Sequence, residues 1–214
     1  MADPIALVVL VSGRGSNLHA IAEAIDAGAC HARIAAVISD RGPDRCEALS
    51  WATGRGITTA TVSPKAHADR TAWDAALAEE VAAHAPGLVV LAGFMKIVGP
   101  AFLQRFGGRT LNVHPSLLPA FPGLRAPEQA IAAGVRISGC TVHLVDAGVD
   151  TGPILAQAAV PVRPDDDAAR LHARIQRHEH RLLPRVVHWL GTGELSLERG
   201  IAPEADGVLY SPSV

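Results

Sequence analysis

The sequence predicts an α/β fold: a Rossmann-like, doubly wound, mostly parallel sheet with an antiparallel C-terminal extension. Three observations predict it. Short apolar, β-branched runs alternate with helical stretches from residue 5 to residue 114. The first run passes through a glycine turn directly into a helix. Beyond residue 115 the alternation gives way to a proline-rich loop and two apolar strands close enough to pair as a hairpin.

Residues 5–12, IALVVLVS, form an unbroken apolar run stopped by Gly13, as expected of a parallel strand covered on both faces. In the following GRGSNLHAIAEAIDAG, Ser16 or Asn17 is placed to cap a helix whose apolar positions are Leu18, Ile21, Ala22 and Ile25, with Gly28 ending it. Strands at 33–40, 58–62, 87–93 and 110–114 then alternate with helices near 44–54, 68–84 and 99–106. A short helix at 127–133 precedes strands at 139–146 and 153–162, joined by AGVDTG. The last helix, from 165 to about 190, opens on Asp165, Asp166 and Asp167, which suit the positive end of a helix dipole, and Pro184 is expected to kink or interrupt it. A short strand, ELSLERG, and a loose tail follow. With no internal repeat or linker, residues 1–190 read as one domain and 191–214 as its C-terminal strand and tail.

A chain of 214 residues can bury a sizeable core, and 49% hydrophobic with 19% charged residues argues against disorder. The net charge of −2 supplies no general field for nucleic acid or an anionic membrane, so a bound phosphate must be held by local geometry. Three cysteines without CxxC spacing argue against a disulfide framework and a structural zinc site and fit a reducing, cytoplasmic setting. The N-terminal apolar run of about eight residues follows Asp3 and is too short for a signal core or a membrane span. Ten histidines raise the question of a metal, but His178 and His180 point to different faces of a helix and no HxxxH occurs; no metal is expected.

The segment SGRGSN, 12–17, lies between strand and helix, where backbone N–H groups and the helix dipole favour an anion. It lacks the third glycine of a dinucleotide fingerprint and the Gly-Lys-Ser/Thr of a P-loop, which leaves a small phosphorylated ligand, or glycines that serve only the turn. NVHPSLLP stands at the carboxyl end of the last alternating strand, the edge where open α/β sheets place ligands. Asn112 can donate to an oxygen that gains charge, and His114 can exchange a proton near neutrality. Two positions apart on a strand they share a face, while Leu111 and Val113 take the other. The competing reading is a histidine satisfied in a loop. In VDAGVDTG, turn formation suffices for Asp146, whereas Asp150, if it reaches His114, would raise that ring's proton affinity and help remove a proton. Glu179 is either a solvated helix residue or a contact to a ligand amine, and Phe94 and Met95 are either core or the wall of a flat pocket.

Five segments in order, SGRGSNL, LAGFMKI, LNVHPSLLP, GCTVHLVDAGVDTGPI and QRHEH, resemble those of the phosphoribosylglycinamide formyltransferase family, folate-dependent enzymes of purine biosynthesis. The likeness spans about residues 6–190. It implies that Gly15, Ser16 and Asn17 hold the ribose phosphate of glycinamide ribonucleotide, with Glu179 near its amino end. It implies that Met95, Lys96, Ile97 and Val98, together with Asp146, Ala147, Gly148, Val149 and Asp150, line the pterin pocket of the co-substrate 10-formyltetrahydrofolate, and that Arg70 contacts folate. Asn112, His114 and Asp150 would be the catalytic set, with no metal, nucleic acid or membrane involved and a monomer or homodimer as the working unit. Two positions depart from the family pattern: Pro127 stands where a histidine is common, and Lys96 where an arginine is frequent, which keeps charge but loses the forked geometry. Initiator-tRNA formyltransferases and formyltetrahydrofolate hydrolases have a similar Asn-x-His-Pro-Ser segment but are expected to carry additional domains. A non-catalytic binder would use the glycine loop alone.

Overall fold

A computed structural model describes residues 3–197. Among these, seven strands form one sheet in the order β3-β2-β1-β4-β5-β6-β7. Strands β1 (Ile5–Val11), β2 (Ala32–Ser39), β3 (Thr58–Thr61), β4 (Leu88–Leu91) and β5 (Thr110–His114) pair in parallel; β6 (Ile137–Leu144) runs antiparallel to β5, and β7 (Ile154–Pro161) antiparallel to β6. The doubly wound sheet with an antiparallel extension is the one the alternation predicts. The strand order reverses between β2-β1 and β4-β5, so the loops after β1 and β4 meet at the edge: Met95 N–H donates to Ser12 Oγ at 2.8 Å.

Six helices cover the sheet: α1 (Ser16–Asp26), α2 (Glu47–Gly54), α3 (Arg70–Ala83), α4 (Pro100–Phe106), α5 (Ala126–Ala132) and α6 (Ala168–Thr192). One apolar cluster joins Leu18, Ile21, Leu49, Leu171, Leu183 and Val187 to one face of the sheet, including Leu111 and Val113 of β5. A second, smaller cluster packs Trp73, Leu77, Phe102 and Phe106 of α3 and α4 against Val8, Leu10, Val89 and Leu91 on the opposite face. The β5 side chains that point toward that second face are Asn112 and His114, and neither belongs to the cluster.

Five local expectations are corrected. The cap of α1 is Gly15, in left-handed backbone at φ 78°, and no side chain caps it, because the Ser16 and Asn17 side chains are taken up by α6. The helix expected near 44–54 is a 3-10 turn at Pro43–Arg45 followed by α2; extended Cys46 separates them, its thiol donating to Gly13 O. The acidic triplet precedes α6 instead of opening it: Asp167 accepts the Arg170 N–H as N-cap, and Asp166 holds the Arg174 guanidinium through two bonds of 2.7 and 2.6 Å. Pro184 does not interrupt α6, which runs 25 residues; burial of Leu182, Leu183, Val186 and Val187 around it outweighs the roughly 3 kcal/mol cost of an internal proline. Of the expected strand at 194–200, residues 194–197 form no strand, and the rest, with the tail, lies outside the described residues.

Candidate active site

Gly15 is obligatory at its position. Its φ of 78° suits glycine, and a Cβ there would lie 2.6 Å from the Ala48 Cβ. Because α1 has neither a side-chain cap nor an acidic residue in its first turn, its leading N–H groups and positive dipole end stay available to an anion. The adjoining side chains face α6. Gln176 Nε2 donates to Ser16 Oγ at 3.0 Å, and Asn17 Nδ2 to Glu179 Oε2 at 3.2 Å. Glu179 is buried on the inner side of α6; burial pushes its carboxyl up to about 7, against the opposing pull of the Asn17 hydrogen bond. Asn17 is 8% exposed, and its Oδ1 has no protein partner. A cavity of about 660 Å³ opens beside Ser16 between α1 and α6, lined by His19, Glu23, Arg177, His180 and Arg181.

On the other face of the sheet, β5 brings Asn112 and His114 to one side of the chain, as the two-residue spacing requires. Asp150 arrives by a less direct route. Val145 N–H donates to Thr110 O, so the β6–β7 loop leaves beside the beginning of β5 and must fold back over the sheet to reach His114. Asp150 does so in left-handed backbone, φ 56°, a conformation in which a side chain is uncommon. Its Oδ2 lies 3.2 Å from His114 Nδ1 and accepts the Gly123 N–H at 2.8 Å; its Oδ1 lies 3.4 Å from Asn112 Nδ2 and 3.6 Å from His143 Nε2. Burial pushes the Asp150 carboxyl up, but its hydrogen bonds, the one from the Gly123 N–H among them, and the charge of His114 outweigh it and hold the group below its ordinary value.

His114 is itself enclosed. Its Nε2 faces Phe121 O at 2.9 Å, and Nδ1 faces Asp150 Oδ2, so each ring nitrogen has an oxygen acceptor within reach. The loop that carries Phe121 is pinned to β6: Thr141 Oγ donates to Ser116 O at 2.7 Å and accepts Leu118 N–H at 3.0 Å. Pro127 sits buried in the first turn of α5, where its missing N–H costs nothing.

The remaining expected residues divide. Arg70 donates to Ile97 O and stacks over Trp73, so it meets the 95–98 segment. Lys96 Nζ lies 3.8 Å from buried Asp40. Met95 and Ile97 are largely exposed, whereas the Val98 side chain is in the second apolar cluster and supports the segment from beneath. Asp146 builds the turn, accepting from Gly148 N–H and Thr151 Oγ, while Ala147, Gly148 and Val149 form its exposed tip. A cavity of about 230 Å³ lies beside Asp150, walled by Leu118, Pro119, Pro122, Val149 and Thr151. Sequence reasoning missed His143, 2% exposed and directly opposite Asn112 in the β5–β6 register; the pairing of the two strands was the signal that pointed to it. Among the described residues no group of three or more His, Cys, Asp or Glu could hold a metal ion, and no helix is long and apolar enough to cross a membrane.

The polar cluster lies over β5, the last parallel strand of the sheet, between β4 and antiparallel β6. The formyl transferase family model matches residues 5–187. The chain belongs to the formyl transferase family. A phosphoribosylglycinamide formyltransferase of Mycobacterium tuberculosis is 52% identical over 189 residues, covering 88% of this chain and 86% of that one. The enzyme of that name from Escherichia coli K12 is 41% identical, with 92% of each chain covered. Among solved structures, glycinamide ribonucleotide transformylase 1 from Symbiobacterium toebii superposes with a TM-score of 0.89 at 45% identity over 95% of both chains.

Proposed function

We propose that this member of the family is a phosphoribosylglycinamide formyltransferase, moving the formyl group of 10-formyltetrahydrofolate to the amine of glycinamide ribonucleotide in purine biosynthesis. High identity across nearly the whole length of relatives bearing that name supports the activity. The observation that carries the assignment of the site is the contact cluster of Asn112, His114 and Asp150.

In this reading the uncapped start of α1, at Gly15, Ser16 and Asn17, receives the ribose phosphate, with the dipole and free N–H groups in place of a cationic side chain. Glu179 stands behind it, toward the amino end of the substrate. The folate lies against Met95, Lys96, Ile97 and Val98, steadied by Arg70, and against the loop Asp146, Ala147, Gly148, Val149. The neutral amine attacks the formyl carbon; the new C–N bond forms as the carbonyl electrons move to oxygen. Asn112 Nδ2 and a His114 N–H stabilise that oxygen. His114 reaches it by exchanging the Phe121 carbonyl for the ligand. Asp150, ionised and accepting from Gly123, takes up the amine proton; the oxyanion electrons then re-form the carbonyl, the bond to the folate nitrogen breaks with its pair left on nitrogen, and the proton held by Asp150 passes to that nitrogen as tetrahydrofolate leaves. The same reading makes the protein cytoplasmic, in keeping with three free, buried cysteines.

Release of tetrahydrofolate, followed spectrophotometrically with and without glycinamide ribonucleotide, tests this function. Release that depends on the amine is expected. Release without it would make the protein a hydrolase, and no release under either condition would leave only a binding module.

A further inference from the structure

We infer that His143 is a positioning residue that sets the orientation of the Asn112 amide, and that through it one amide N–H is kept free for the formyl oxygen. This rests on the formyl-transfer reading of the site. Three contacts define the arrangement. His143 Nδ1 lies 2.8 Å from Leu144 O, an oxygen that can only accept, so Nδ1 carries a proton. The opposite nitrogen, Nε2, lies 3.1 Å from Asn112 Nδ2. Asp150 Oδ1 lies 3.4 Å from the same Nδ2.

A ring protonated on Nδ1 alone offers Nε2 as an acceptor, and the amide nitrogen of Asn112 is the donor that meets it. Turning the amide over would set its oxygen against both the Nε2 lone pair and the Asp150 carboxylate, an unfavourable contact on each side. A ring protonated on both nitrogens would set an N–H against the amide NH2 at 3.1 Å, and the nearest other oxygen, Asp150 Oδ1 at 3.6 Å, lies beyond hydrogen-bond distance. The neutral ring and the carboxylate therefore select one orientation together. His143 is fully enclosed in β6 and paired in register with Asn112, so neither side chain has room to drift.

The consequence concerns the two amide hydrogens. One is anchored on His143 Nε2 at good hydrogen-bond distance. The other is held only by the long contact to Asp150, and it is this second hydrogen that turns to the formyl oxygen as negative charge develops there. Without His143, Asp150 alone orients the amide, and the donor is lost in part to the reversed orientation. His143 touches neither substrate in this account and acts only through Asn112.

Two measurements test it. In the intact wild-type protein labelled with ¹⁵N-histidine, the His143 ring is expected to show a protonated Nδ1 and a bare Nε2 at the pH of assay; a protonated Nε2 overturns the proposal, and this readout needs neither turnover nor a variant. In steady-state formyl transfer, His143→Ala is expected to lower kcat by about 10- to 100-fold with the KM of both substrates nearly unchanged, as for a misplaced group that acts on the transition state. In an Asn112→Ala background the same change is expected to cost no more than about twofold, since the residue it orients is gone. An undiminished loss in that background, or a loss confined to KM, overturns the proposal. If the wild type transfers no formyl group, the functional reading fails and the ring measurement alone decides the tautomer. If His143→Ala fails to fold, that measurement likewise decides.

Discussion

The two faces of β5 are made from alternate residues of the same five-residue strand and do opposite things. Leu111 and Val113 enter the larger apolar cluster with α6 and β6, whereas Asn112 and His114 meet Asp150, His143 and the carbonyl of Phe121. On the first face, stability comes from excluded water and close contact; on the second, polar groups are held by hydrogen bonds to one another and to the Phe121 carbonyl. The difference teaches that one strand can carry both because side-chain alternation isolates them. Changes on one face should alter rate with little change in stability, and changes on the other should do the reverse.

The largest separation is expected from Asp150→Asn, which keeps the shape of the side chain and removes its charge. A fall in kcat of about 100- to 10,000-fold is expected, typical of a lost proton acceptor, and rate measurements on protein of verified fold check it. Because the Asp150 carboxyl is held below its ordinary value, its contribution to stability is present above the unfolded carboxylate pKa and is lost as pH falls through the folded one; the variant should lack that acid-side loss in thermal melts. On the apolar face, Leu111→Ala should cost about 2–5 kcal/mol in denaturant unfolding, with turnover per folded molecule close to wild type.

Glu179 sharpens the comparison from the far side of the sheet. Its folded pKa of about 7 exceeds the model-compound 4.5, so between those values the native state keeps a proton that the unfolded state has released, and stability falls as pH rises through this window. Glu179→Gln should remove that slope and stabilise the protein at pH 8 by about 2–3 kcal/mol, while weakening substrate binding. Melts at pH 5 and pH 8 check it. Asp146→Ala, which removes only the turn contacts to Gly148 and Thr151, should cost about 1 kcal/mol and change kcat least of all.

Much of this was legible before the structure. Alternation of apolar runs and helices placed β1 to β5, two closely spaced apolar runs placed β6 and β7, and two-residue spacing put Asn112 and His114 on one face. What was not legible depends on return paths. Asp150 lies 38 residues from Asn112 and reaches it because a loop doubles back over the sheet in left-handed backbone, which local spacing does not encode. His143 entered through the register of two antiparallel strands. The uncapped start of α1 was misread for a related reason: Ser16 and Asn17 are good caps by type, but Gln176 and Glu179, about 160 positions away, occupy them instead. Pro184 misled in the opposite direction, since local chemistry argues for a break and buried neighbours override it.

The central claim is that the polar face of β5 carries out the transfer. The single-turnover rate of tetrahydrofolate formation by His114→Ala, with glycinamide ribonucleotide and 10-formyltetrahydrofolate saturating, tests it most directly. The account predicts a fall of about 100- to 1,000-fold in protein that melts within a few degrees of wild type. A rate close to wild type would contradict it and move the chemistry elsewhere in the fold.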